Sequence, residues 1–376
     1  MMTKRNMCGD NVSLLGFGCM RFPTKDGKID REKAGEMLRL AYDSGVNYFD
    51  TAYPYHDGES EEFVGQFLSA YPRDSFYIAT KLPMWAVDSR EKAIEIFEGQ
   101  LKKLQTDHVD FYLFHALNRD RFELIKRLGL YELFDELKKQ GKIRHLGFSF
   151  HDGYDVFEDI INYRDWDFCQ IQYNYMDTEY QAGLRGVKLC EQRGISVIAM
   201  EPIRGGSLVN LRDEIMSVFR AHDNRSPAAW ALGWVASHGA IKTVLSGMSA
   251  MEHVTDNLKT FDDFRVFDKS ELDTVALVAQ KVRQSRFNTC TKCRYCMPCP
   301  AGIEINQCAR MSLMLRRAPA KEWLTEQWQQ KMHRIEECRH CGHCTSKCPY
   351  GLNTPELLQA NYKDYWQVLA QSKEEK

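Results

Sequence analysis

Residues 76–115 read FYIATKLPMWAVDSREKAIEIFEGQLKKLQTDHVDFYLFH. Two short apolar runs, 76–82 and 109–115, flank a segment whose apolar residues recur at three- and four-residue spacing, the period of a helix with one buried face. The stretch therefore reads as strand, helix, strand. The same alternation extends outward in both directions. Further strand candidates are VSLLGFGCM (12–20), NYFDTA (47–52), IRHLGFSF (143–150), FCQIQYN (168–174), ISVIAME (195–201) and TVLSGM (243–248). Helical segments such as REKAGEMLRLAYDSG fill the intervals, and Gly45, Gly141 and Gly194 suit helix C-caps. Eight strand–helix units at this length fit a closed (β/α)8 TIM barrel better than an open sheet.

A linker helix, KSELDTVALVAQKV, follows, and the composition then changes. We place a domain boundary near 285, with the barrel in 1–285 and a second, cysteine-rich domain in 286–376. From Arg286 onward 14 basic residues face 9 acidic ones, a net +5, which leaves 36 against 43, a net −7, for the barrel. A basic tail suits an acidic electron-transfer partner, a ferredoxin or flavodoxin, as well as a plain solvated face. Nothing points to nucleic acid. No apolar run approaches 18 residues and the start MMTKRNMCGDN lacks a signal peptide's apolar stretch, so a cytoplasmic protein without a membrane span is expected.

Of thirteen cysteines, eight crowd into two short arrays. In a chain expected in a reducing compartment, that density argues for metal ligands over disulfides. Cys338, Cys341, Cys344 and Cys348 follow C-x2-C-x2-C-x3-C-P, the bacterial ferredoxin spacing for a [4Fe–4S] cluster. Cys290, Cys293, Cys296 and Cys299 form a similar run, one residue shorter before its last cysteine. In two-cluster ferredoxins the fourth cysteine crosses to the other cluster. One cluster would then use Cys290, Cys293, Cys296 and Cys348, the other Cys338, Cys341, Cys344 and Cys299; the shortened run leaves this crossing open. Zinc is the competing ligand, but its sites usually pair two C-x2-C knuckles across a loop. Helix-like segments between the arrays, QCARMSLMLRRA and AKEWLTEQWQQKMHRI, predict an α-helical ferredoxin-like module. Cys8, Cys19, Cys169, Cys190 and Cys308 fall outside the pattern and read as packing residues.

Active sites of such barrels form at the C-terminal ends of the strands. Asp50 ends the second strand, Tyr55 follows it, Lys81 lies near the end of the third and His115 ends the fourth. A tyrosine with pKa near ~10 is a poor proton donor at neutral pH, and an adjacent ammonium lowers that value. Asp50 would keep Lys81 charged and fixed, and His115 could polarise a carbonyl oxygen. Each residue alone also has a structural reading: a turn aspartate, a satisfied strand-end histidine. Tyr53 rivals Tyr55.

The successive stretches YFDTAYPYHDGESEEFVG, IATKLP, DFYLFH, IRHLGFSF and CQIQYN resemble the signatures of the aldo-keto reductase family, in order, through about residue 260. The resemblance implies hydride transfer between a nicotinamide, usually NADPH, and a carbonyl, with Tyr55 as general acid assisted by Asp50, Lys81 and His115. It places Ser149 and Gln170 at the nicotinamide carboxamide and Asn257 at the adenine. The chain departs from the family pattern at Phe150, where asparagine is usual, and at Met200, where an aromatic residue stacks on the ring. Gly247 and His253 stand where basic residues grip the 2′-phosphate. A phosphate could still rest on Arg204, Gly205, Gly206 and the amides near Gly247, although those glycines also suit simple turns. The cysteine-rich tail resembles that of a branch of the family with a ferredoxin-type domain.

A nicotinamide moves two electrons at once and a cluster one, so coupling them calls for a cofactor such as FMN, in place of or beside NAD(P)H. Three functions are consistent with the sequence. One is an oxidoreductase acting on a small carbonyl or alcohol, with electrons passing through two [4Fe–4S] clusters. The others are a direct NAD(P)H-dependent carbonyl reductase with structural clusters, and a non-catalytic redox sensor.

Overall fold

The computed structural model describes residues 1–284, 290, 295–316, 323–348 and 350–374. They divide into two compact units, Met1–Ile203 with Ser217–Leu277, and Arg204–Met216 with Val278–Lys376. The boundary expected near 285 falls on residues outside the described set.

The first unit is a closed eight-stranded barrel with strands in sequential order around the ring. They are β1 (Leu15–Gly18), β2 (Tyr48–Asp50), β3 (Tyr77–Leu82), β4 (Val109–Leu117), β5 (Ile143–Phe150), β6 (Phe168–Gln172), β7 (Ser196–Met200) and β8 (Ile241–Ser246). Neighbouring strands are parallel throughout. Helices α1 (Arg31–Asp43), α2 (Glu59–Leu68), α3 (Arg90–Leu104) and α4 (Arg119–Leu128) begin the outer ring. In α3, Ser89 Oγ accepts from the Lys92 amide at 3.2 Å and opens the helix, while Gln105, at φ 54°, closes it. Between these ends Ala93, Ile96, Phe97, Leu101 and Leu104 form the buried stripe that the spacing predicted. Full burial of each large apolar side chain contributes roughly 1.5–3 kcal/mol.

Period-two alternation decides what faces the interior. Tyr48, Ala79, Phe111, Leu113, Phe168, Ile198 and Leu245 form one buried cluster. Two residues further along the same strands stand Asp50, Lys81, His115, Gln170 and Met200. The polar residues at the mouth are thus the next step of the apolar lining below them. Gly147 is required in this lining: a Cβ there would meet the Phe168 carbonyl oxygen at 2.4 Å.

The run 12–20, expected as one strand, is two. Residues Asp10–Ser13 pair antiparallel with Lys4–Met7, and β1 starts after Leu14. Ser13 causes the break, its amide donating to Asn47 Oδ1 at 2.7 Å and its hydroxyl to the Leu15 carbonyl at 2.7 Å. Met7 and Val12 of this hairpin join the interior cluster and close the barrel's N-terminal end.

The second unit is helical, with Ile305–Cys308, Met311–Arg316, Glu326–His333, His343–Ser346 and the long Thr354–Glu374. Ile303, Ile305, Met311, Met332, Ile335, Leu358 and Tyr365 make its core together with Cys296 and Cys344. Among the described residues no helix is long and apolar enough to cross a membrane.

Candidate active site and candidate metal centre

After β2 the chain turns sharply. His56 and Asp57 take left-handed φ of 51° and 54°, followed by Gly58 at 90°, and α2 begins at Glu59. This turn points Tyr55 inward, with Lys81 Nζ 5.0 Å from the ring centroid. Tyr53 is 39 % exposed and lies instead under Lys103.

Lys81 is wholly buried, and its ammonium donates to both Asp50 carboxylate oxygens at 2.8 Å and to the Thr51 carbonyl at 2.7 Å. A second buried network supports it from outside the barrel. Gln100 Nε2 donates to the Lys81 carbonyl at 3.0 Å and to Glu61 Oε1 at 2.6 Å, while Gln100 Oε1 accepts from Tyr112 at 2.7 Å. Burial alone would strip the proton from Lys81, but Asp50 and Tyr55 outweigh it and its pKa lies above the ordinary lysine value. Tyr55 departs from the sequence expectation. Burial raises its pKa above 10, and Lys81 only moderates the rise. Desolvating a phenolate outweighs one nearby cation that is already neutralised by Asp50.

His115 sits at a bulge, because the β4–β5 register shifts between Phe114 and Leu117 and Ala116 takes φ 55°. Bulges re-aim side chains at sites like this one. Its ring lies 6.3 Å from that of Tyr55, edge to face, and 5.0 Å from that of Trp85. His115 Nδ1 is buried without a hydrogen-bond partner. Burial, then Lys81, His151 and Arg121, push its pKa well below 6.5, so the imidazole is neutral at physiological pH.

Burial depresses His151 and His238 as well. In the unfolded chain these histidines would take protons as the pH drops through about 6.5. The folded protein refuses those protons, so stability is complete above that pH and declines below it. The denaturant midpoint is expected to fall between about pH 7 and about pH 5.5. An unchanged or higher midpoint in acid would contradict this.

Ser149 Oγ accepts from the Ala116 amide at 2.7 Å, which leaves the hydroxyl hydrogen to donate. Gln170 Nε2 touches Met200 Sδ at 3.5 Å, and its Oε1 is buried with no partner. Asn257 is buried and donates to Ser246 Oγ at 2.8 Å. A side chain at Gly247 would collide with Arg21 Cγ at 2.7 Å, so glycine there admits an arginine that the sequence did not single out. Arg204, Gly205 and Gly206 belong to the second unit, where the Arg204 guanidinium lies 4.5 Å from the Tyr350 ring centroid.

In the second unit one cavity is lined by Cys338, Cys341 and Cys344 together with Cys299, the fourth cysteine of the other array. Ile303, Ile305, Pro355 and Leu358 form its apolar walls. Among the described residues no three His, Cys, Asp or Glu side chains are gathered tightly enough to hold a single ion. Arg339, His340 and His343 also line it, and four thiols set among apolar walls match the donor chemistry of an iron–sulfur cube. Cys290, Cys296 and Cys348 are buried or half-buried, and Cys293 lies outside the described residues. Cys308, outside the pattern, is a packing residue whose thiol burial pushes up to about 12. Cys169 and Cys190 are likewise buried, with sulfurs 3.6 Å apart.

Comparison with known proteins fits both halves. The 4Fe-4S dicluster domain matches residues 289–353. The NADH-specific methylglyoxal reductase of Escherichia coli is 25% identical over 294 residues, 66% of this chain and 89% of that protein. The E. coli methylglyoxal reductase YeaE is 27% identical over 265 residues, covering 68% and 89%. Aldo-keto reductase AKR11C1 from Bacillus halodurans, in its holo form, superposes with TM-score 0.63 at 26% identity, covering 74% of this chain and 96% of that one. The aldo/keto reductase profile itself matches residues 14–280, and with a tyrosine, lysine, aspartate and histidine meeting at the barrel mouth, the chain belongs to the aldo/keto reductase family of oxidoreductases and carries a C-terminal 4Fe-4S dicluster domain.

Proposed function

We propose that the barrel interconverts small aldehydes or ketones and their alcohols, with Tyr55 as the proton donor in the reducing direction. The observation that carries this is the Lys81 ammonium, held by Asp50 and Thr51 and set against Tyr55 beside a neutral His115. A carbonyl oxygen placed between the phenol and the imidazole accepts a hydrogen bond from each. As negative charge develops on it, the Tyr55 proton moves across and Lys81 stabilises the phenolate left behind. Bound at the mouth, a reduced nicotinamide supplies the hydride for the carbonyl carbon. The orphaned Gln170 Oε1 and the free hydroxyl hydrogen of Ser149 fit the donor and acceptor of its carboxamide. Arg21, over Gly247, offers a cation where the family's usual phosphate-gripping residue is missing, with Asn257 behind it. The names of the E. coli relatives support a small, reactive carbonyl substrate and, for one of them, NADH.

For the second unit we read two [4Fe–4S] clusters with crossed fourth ligands. One is held by Cys338, Cys341, Cys344 and Cys299, as their shared cavity supports, and the other by Cys290, Cys293, Cys296 and Cys348. Such clusters supply one-electron transfer, to which a ferredoxin or flavodoxin would be the matching external carrier. The dicluster domain also favours a second reading, in which FMN occupies the mouth and converts two-electron into one-electron chemistry.

Purifying the protein without oxygen, denaturing it and quantifying what is released separates the two. The first reading expects about eight iron and eight sulfide per chain with no flavin. Stoichiometric flavin would replace the nicotinamide reading. Iron well below that level would remove the clusters.

A further inference from the structure

The loop after β4, whose charged residues no catalytic role has absorbed, places Arg121 on the first turns of α4 at the barrel mouth. Its guanidinium lies 5.4 Å from the Trp85 ring centroid, and Trp85 in turn lies 5.0 Å from the His115 ring. Arg121 Nη1 donates to the Ala116 carbonyl at 2.5 Å, bridging back to the bulge beside His115. Among the described residues no carboxylate comes within ion-pair distance of it. Other half-buried arginines differ. Arg73 pairs with Asp110, Arg225 with Asp223 and Glu271, and Arg5 donates to three carbonyls. Asp50, the one acid among the groups placed at the reaction centre, is committed to Lys81. A partly desolvated cation without a counter-charge is unfavourable unless something anionic arrives to meet it.

We propose that Arg121 is the anion-recognising residue of the substrate site, so that preferred substrates are short carbonyl compounds bearing a carboxylate beside the reacting carbon. This rests on the carbonyl chemistry proposed above. The carbonyl oxygen lies between Tyr55 and His115, and the carboxylate points past Trp85 to the free edge of the guanidinium. Trp85, half exposed, covers the aliphatic part and holds Arg121 in place through its ring face. His115 and His151 are neutral there, so the discrimination falls to Arg121.

The test is calorimetric titration of the full-length protein with two unreactive mimics of equal size, oxamate (anionic) and oxamide (neutral). Wild type is expected to bind oxamate about 10- to 100-fold more tightly, the range of a charge-assisted hydrogen bond. Arg121→Gln keeps a donor for the Ala116 carbonyl and should abolish the preference. Arg121→Lys should retain part of it, and Tyr55→Phe should leave it intact. Equal affinity in wild type, binding of neither mimic, or equal weakening of both by Arg121→Gln would overturn the proposal. Turnover of glyoxylate and methylglyoxal, measured in parallel, separates this from the parent reading. Charge-selective binding without carbonyl reduction leaves Arg121 standing and removes the reductase. Reduction without charge preference does the opposite.

Discussion

Tyr55→Phe lowers kcat for carbonyl reduction by about 10²- to 10⁴-fold, the usual contribution of a positioned general acid. The loss should sit in kcat, with KM changing little, because the ring that packs against Lys81 and His115 remains and only the transferred proton is gone. The fold should survive, because the Tyr55 hydroxyl's hydrogen-bond partner, the Lys81 ammonium, keeps its bonds to Asp50 and the Thr51 carbonyl. The phenol's raised pKa sharpens the expectation. Burial holds it above the ordinary tyrosine value and holds His115 well below the ordinary histidine value, so at neutral pH the phenol is protonated and the imidazole neutral. Neither group therefore imposes a pH limit on reduction between about pH 6.5 and about pH 9.5. Turnover within threefold of wild type, with the fold intact, would remove Tyr55 from the mechanism.

Lys81→Met is expected to remove activity and also to destabilise the barrel by about 3–5 kcal/mol, because Asp50 would be left as an unpaired carboxylate in the interior. The companion change separates the two effects. Asp50→Asn in the Lys81→Met background removes the stranded charge, so the double variant should melt above the single one while remaining inactive. If the double variant is no more stable than Lys81→Met alone, the pair is not the coupled unit that the geometry describes.

What the sequence reveals here is parity. Tyr48, Ala79, Leu113, Phe168 and Ile198 are inward-facing because they alternate, and that places Asp50, Lys81, His115, Gln170 and Met200 at the mouth without any coordinates. The choice of Tyr55 over Tyr53 needed more, since it depends on two consecutive left-handed residues, His56 and Asp57, which no propensity predicts for that pair. The hairpin break at Leu14 was illegible because its cause, Asn47, is remote in sequence. The net direction of the Tyr55 shift was misjudged because the spacing shows which charges are near but not how much water is lost. Arg121 stood in plain view, two residues into the helix that follows β4. What could not be read was that no described carboxylate pairs with it, a property of the folded surroundings.

Because the hairpin of residues 4–13 stoppers the lower end, with Met7 and Val12 packed in one buried cluster with Phe111 and Ile198, the described barrel offers its polar residues to solvent at the rim. If Tyr55 is the proton donor proposed above, the phenolate it leaves has only the Lys81 ammonium recorded against it from inside, and that group is itself sealed from water. On that proposal the net proton for the next turnover enters at the rim, on the side of His115 and Trp85, which is also the side by which the alcohol would leave. Departure of one molecule and recharging of the site for the next are therefore one sequence of events. A slow-leaving product would hold the enzyme not merely occupied but chemically discharged.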